Sequence, residues 1–282
     1  MEPDSDRRLV GGAEPLEPML PPWDQDEIRR WKADPVWQAT LIAPGAQLTS
    51  AAEVIQWPAS RLTSWSDQAD RQTVVSDVIP DDFDAYVRIL FPFFSDELLD
   101  GKPVLYKLLT WNQTAIANGR QPHRLMDLVG IGPNHDDHLH GGTHAKMDLA
   151  AAQERALLRV LESHASSPRS WFLLWEGDYH GTVNLPDASL VEVDQGSSLR
   201  YCAFRGPHKA WSDFWSYPRW WWPEDRTWCW QTGLDLDMTN CAYLGGTHDC
   251  IEAILSNPVI EAVIAYPDDP TFTTDTINRS RS

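Results

Sequence analysis

The sequence predicts an α+β fold, with helices mainly in the N-terminal half and a mixed or antiparallel sheet mainly in the C-terminal half. Apolar residues recur at helical spacing up to about residue 163, and short runs rich in aromatic and β-branched residues dominate after Pro168. The two kinds of segment never alternate as regular βαβ units, which argues against a doubly wound sheet. Of the 282 residues, 42% are hydrophobic and 11% aromatic, enough apolar material for one packed domain. Residues 1–22, rich in Pro, Glu and Asp, form an expected mobile tail; 23–266 form the domain; and 267–282, polar throughout, form a second mobile tail.

Taken in order, Asp24 with Glu27 makes a capping box, and Ile28 and Trp31 share a face, so a helix is expected over 25–33, stopped by Pro35. Phe83, Tyr86, Val87 and Leu90 lie at i, i+3, i+4 and i+7, which predicts a second helix ended by Pro92. Thr110 with Gln113 caps a short third helix that Gly119 terminates in a left-handed conformation. The longest helix is expected between Met147 and Ser163, with Asp148 at its start. Trp171 to Trp175 is an unbroken apolar run closed by Gly177, as in a strand buried on both faces. Further strands are expected at 189–193, 200–204, 227–236 and 259–265, with a last helix over 249–255 capped by Thr247.

Lys and Arg number 23 against 41 Asp and Glu, a formal charge of -18 that repels phosphate backbones and excludes nucleic acid as the expected partner. The same field favours a basic protein. No stretch approaches the roughly 18 apolar residues of a membrane span, and Met1 to Pro22 lacks the apolar run of a signal peptide. No membrane partner is expected, and the location expected is the cytoplasm. Cys202, Cys229, Cys241 and Cys250 contain no Cys-x-x-Cys pair and are expected as free buried thiols.

Three segments offer chemistry. His135, Asp136, Asp137, His138, His140 and His144 lie within ten residues and supply the nitrogen and oxygen ligands that a divalent transition metal such as zinc takes. The order matches neither the His-x-His-x-Asp-His of metallo-β-lactamases nor the cupin pattern, and flanking glycines place it in a loop. Seven tryptophans fall between Trp211 and Trp230, including Trp221, Trp222 and Trp228, with Asp225 and Arg226 between them. Such indoles either pack a core, with Asp225 and Arg226 fixing a loop, or line a surface that grips a partner or a sugar ring. Asp235 and Asp237 alternate with apolar neighbours and share one face of an expected strand; Glu176 and Asp178 repeat the spacing. The Gly-x-Ser-x-Gly, Gly-x-x-x-x-Gly-Lys-Ser/Thr and Gly-x-Gly-x-x-Gly patterns are absent.

Ile79-Pro-Asp-Asp-Phe-Asp-Ala-Tyr-Val-Arg88, Trp171-Phe-Leu-Leu-Trp-Glu-Gly177, Tyr201-Cys-Ala-Phe-Arg-Gly-Pro207, Trp221-Trp-Pro-Glu-Asp-Arg-Thr-Trp228, Gly245-Gly246, Glu261-Ala262 and Asp275-Thr-Ile-Asn278 occur in that order over about 200 residues. In these strings the chain resembles a family of actinobacterial cytosolic proteins marked by Trp-Trp-Pro-x-Asp-Arg-x-Trp. No activity is established for that family, so the resemblance implies no catalytic residues. Where its members tend to carry Thr-Glu-Ile-Asp, this chain has Thr232-Gly233-Leu234-Asp235. The strand-rich second half is also similar to small immunity-type proteins of bacterial toxin systems, an analogy at the level of fold. The leading expectation is a non-enzymatic, cofactor-free protein-binding module whose candidate surface comprises Trp221, Trp222, Asp225, Arg226, Trp228, Asp235 and Asp237. The alternative is a metal-dependent hydrolase using His135, His138, His140 and His144, and a weaker one is a carbohydrate-binding protein using the indoles.

Overall fold

The computed structural model describes residues 29–30, 32–36, 38, 42–49, 51–62, 73–99, 102–132, 140–141, 148–179, 190–192, 200–214, 218–232, 241–271 and 275–279. Twelve strands are present among them: β1 Gln47–Thr49, β2 Ala85–Leu90, β3 Phe93–Leu99, β4 Lys102–Leu109, β5 His140–Gly141, β6 Arg169–Trp175, β7 Leu190–Glu192, β8 Arg200–Pro207, β9 Trp220–Pro223, β10 Trp228–Thr232, β11 Cys241–Gly246 and β12 Ala262–Ala265. The helices are α1 Ala51–Ala59, α2 Trp111–Ala117, α3 Leu128–Ile131, α4 Asp148–Ser163, α5 His248–Leu255 and α6 Thr276–Arg279. The main sheet runs β1-β8-β6-β9-β10-β11-β2-β12, with β7 beside β1 on the outer side of β8; β4-β3-β5 form a smaller sheet. Every pairing is antiparallel, so the fold is α+β with an antiparallel sheet.

Side chains alternate between the two faces of the main sheet, and both faces are buried. Register places Leu48, Phe204, Phe172, Trp221, Trp230, Leu244, Val87 and Ile264 in one row crossing eight strands. All but Leu48 and Ile264, at the two ends, are at most 1% exposed. This face packs against Ala156, Leu157 and Leu161 of α4, Cys250, Ile251 and Ile254 of α5, and Ala210 and Trp211 of a 3-10 helix over His208–Asp213. The other face carries Trp220, Trp222, Cys229, Tyr243, Tyr86 and Leu90 and packs against Trp57 of α1, Trp111 and Ala115 of α2, and Leu128 and Ile131 of α3. At ~25 cal/mol per Å2 of apolar surface, two such layers of aromatic residues dominate the folding energy.

Local rules set several ends. Thr110 Oγ1 accepts from Gln113 N at 3.3 Å to start α2, and Gly119 follows it at φ +67°. Thr247 Oγ1 accepts from Cys250 N at 3.3 Å to start α5. Asp34 separates two helical stretches, accepting from Val36 N at 2.8 Å, so Pro35 opens a new turn instead of simply ending the first.

Several expectations are corrected. The helix expected from Phe83 to Leu90 is strand β2: a strand covered on both faces carries apolar residues at nearly every position, and a helical subset can be picked out of any such run. Helices and strands are not divided between the halves, since β1 to β4 precede residue 110 and α4 to α6 follow residue 147. Chain beyond residue 266 is not simply a tail: Asp269, Thr271, Asp275 and Asn278 are buried, and 267–271 run beside 73–76 through Val75 N to Asp269 O (2.9 Å) and Thr271 N to Thr73 O (2.9 Å). Residues 1–22 and most of the helix expected over 25–33 lie outside the described residues. No helix among the described residues is long and apolar enough to cross a membrane.

Candidate interaction surface

The Trp221 to Trp228 string is the hairpin that joins β9 to β10, and its indoles point inward. Trp221 and Trp228 are 0% exposed on one face, with centroids 4.7 Å apart in an edge-on contact; Trp222 is 1% exposed on the other. Trp228 Nε1 donates to Leu161 O at 3.0 Å, which satisfies a carbonyl in the last turn of α4. Asp225 Oδ2 accepts from Ser167 N at 2.8 Å and from Ser166 N, and Oδ1 accepts from Thr227 Oγ1 at 2.9 Å, tying the α4–β6 loop to the hairpin. Burial alone pushes the Asp225 carboxyl up, but these donors outweigh it and hold it below its usual range. Arg226 takes the left-handed conformation, φ 60°, and lays its guanidinium 5.4 Å from the Trp57 ring centroid, clamping α1. Trp221, Trp222 and Trp228 therefore form no surface patch, whereas Asp225 and Arg226 are exposed while also holding the loop and α1.

The other polar clusters are also internal ties. Ser170, fully buried, sits 2.6 Å from His208 Nδ1, while His208 Nε2 lies 2.7 Å from Ser167 O. A carbonyl only accepts, so Nε2 carries the hydrogen and Nδ1 accepts from the Ser170 hydroxyl. This resembles a nucleophile and base, yet a serine with no exposure meets no substrate; the pair holds the 3-10 helix to β6. His123 Nε2 donates to Asp275 Oδ1 at 2.8 Å, and His123 Nδ1 accepts from Leu125 N at 3.3 Å, so neither nitrogen is free to act as a base. Asp275 and Asn278 pin α6 against α3: Asp275 N donates to Asp127 Oδ2 at 2.9 Å, and Gly130 leaves the space Asp275 fills. Arg88 crosses the second face to donate to Met126 O at 2.9 Å and to Cys241 Sγ at 3.3 Å, stacking 5.1 Å from Trp111. Glu261 accepts from Trp111 N and Asn112 N at the start of α2, 2.9 and 2.7 Å, and burial pushes its carboxyl up.

What remains is the sheet edge at β12. Among the described residues β12 pairs on one side only, with β2. Leu90 N donates to Glu261 O at 2.9 Å, so 261, 263 and 265 are the bonded partners of β2, and the N–H and C=O of Ala262 and Ile264 point away from the sheet. Neither a charge nor a proline interrupts Ala262–Ala265, whereas protected edges use such residues. Four of the large exposed hydrophobics lie in this one stretch: Leu255 at 39%, Val259 at 39%, Ile264 at 38% and Tyr266 at 52%. The opposite edge is broken into two three-residue strands, β1 and β7.

Of the residues expected to carry function, His135, His138, His144, Asp235 and Asp237 lie outside the described residues, and His140 is described only as backbone in β5, opposite Phe94. Among the described residues no three His, Cys, Asp or Glu side chains gather as metal ligands. The four cysteines are buried thiols outside any disulfide. The β12 edge carries a sequence signal that no motif captures: from Thr227 through Asn278 there is no Lys or Arg, while Asp and Glu number eight. Asp249, Glu252 and Asp268 of that stretch are exposed. Compared with protein-family models, curated proteins and solved structures, the chain has no match.

Proposed function

We propose that this protein is a non-enzymatic binding module that engages a basic protein through the face formed by α5, β12 and the turn that follows. The observation that carries this reading is the coincidence, in one stretch of chain, of exposed apolar side chains with 52 residues free of Lys and Arg. A surface of that kind attracts a cationic partner over about a Debye length, roughly 8 to 10 Å at ordinary salt, and then buries apolar area on contact. The polar clusters elsewhere support the reading from the other side, because their hydrogen bonds are spent on the scaffold.

The test is fluorescence anisotropy of a labelled Lys-Val-Lys-Val-Lys-Val-Lys peptide against its Glu-Val counterpart, across ionic strength. Preference for the basic peptide, weakened by salt and by about tenfold or more in an Asp249→Lys, Glu252→Lys, Asp268→Lys variant, is the expected result. Equal binding of both peptides, or undiminished binding by the charge-reversed variant, refutes it.

A further inference from the structure

We infer that the basic partner is taken as an extended strand added to the edge of β12 that is unpaired among the described residues, a mode that rests on the proposed binding function. The register fixes which backbone groups are offered: Ala262 and Ile264 each present one N–H and one C=O outward, four groups in a row at the end of a sheet already eight strands wide. Unpaired backbone groups on an apolar edge are a template for another strand, and main-chain bonds supply affinity whatever the incoming sequence.

Side-chain positions say what that sequence is. Ile264 ends the row Trp221, Trp230, Leu244, Val87, and at 38% exposure it is the one member of these five that is not covered. An added strand places an apolar side chain beside it, continuing the row. Exposed Glu252 on α5, which covers the same face as Ile264, and exposed Asp268 in the turn after β12 favour a strand that carries Lys or Arg, while Arg124, 4.9 Å from the Tyr266 ring centroid, is already paired with Asp269. A second copy of the chain is the poorer occupant, since two such edges bring the same negative charges together and each chain carries -18.

The experiment uses the native chain and three peptides: the Lys-Val heptapeptide, the same peptide methylated on every lysine amide nitrogen, and the same peptide methylated on every valine amide nitrogen. In a strand, alternate N–H groups face opposite sides, so strand addition predicts that one methylated peptide loses about tenfold or more in affinity while the other stays within about threefold. Ile264→Pro deletes an outward N–H, as edge strands tolerate, and also trims the exposed side chain; it should weaken the parent peptide by about tenfold or more beyond the side-chain control Ile264→Ala, with the near-ultraviolet dichroism of the indoles unchanged. If that variant does not fold, the methylated peptides on the native chain decide alone. Equal binding of all three peptides overturns strand addition while leaving the binding function standing; failure of the parent peptide to bind removes both. A concentration-dependent dimer of the free chain that Ile264→Pro disperses also overturns the proposal, by assigning the edge to a second copy.

Discussion

Trp228 and Asp225 of the Trp221 to Trp228 hairpin have separate structural tasks, and each can be tested singly. Trp228→Phe removes the bond to Leu161 O and part of a packed ring; the expected loss is about 2 to 4 kcal/mol in a urea titration followed by tryptophan fluorescence. Asp225→Ala frees Ser166, Ser167 and Thr227 at an exposed loop, where a cap of this sort is worth about 1 to 2 kcal/mol. A Trp228→Phe chain as stable as the native one, or an Asp225→Ala chain unchanged within about 0.3 kcal/mol, would rule out the corresponding task. The residue types were legible in the sequence as either core or platform. The choice between them was not, because a Trp in a strand looks the same whether its face is covered or bare, and the covering Leu157, Leu161 and Trp211 come from α4 and the 3-10 helix.

At the scale of elements, the clip that holds α6 is a pH-sensitive joint. Burial pushes the Asp275 carboxyl up, but hydrogen bonds from the Asn278 amide and side chain and from His123 outweigh it, and the group titrates below its usual range. A lowered carboxylate contributes stability that is present above its unfolded pKa and is lost as pH falls through the lowered folded value. Proteolysis near the C-terminus should therefore accelerate on acidification below the ordinary carboxylate range, and Asp275→Asn should show that acceleration already at neutral pH; a pH-independent cleavage rate in the native chain contradicts this. Gly130→Ala should loosen the same joint, since a Cβ there falls 2.5 Å from Asp275 Oδ2. Elements with local signals, such as the Thr110 and Thr247 caps and the apolar run of β6, were readable from the chain. Strand β2 was not, for its doubly buried face hides the period of two, and the β3–β4 hairpin announces itself only through the turn signal Asp100-Gly101 between the two strands.

For the molecule as a whole, the sheet explains why so much of the conspicuous sequence is structural. The strings centred on Phe83, Phe172, Phe204, Trp222 and Asn278 supply, in turn, packing over Gly245, strands β6 and β8, the β9–β10 hairpin and the α6 clip. A binding face needs no such conspicuous residues. Strand β12 lies within the strand expected over 259–265, but that it stands last in the sheet among the described residues is recorded by no local pattern; beyond the strand itself the sequence shows a charge imbalance from 227 to 278. The central claim is that this edge and the adjoining 255–266 segment form the docking face. It is tested most directly by backbone hydrogen exchange of the native chain with and without the Lys-Val peptide. Selective slowing at Ala262 and Ile264, whose amides point outward, is the predicted result; slowing confined to other parts of the chain, with those two amides unchanged, would contradict it.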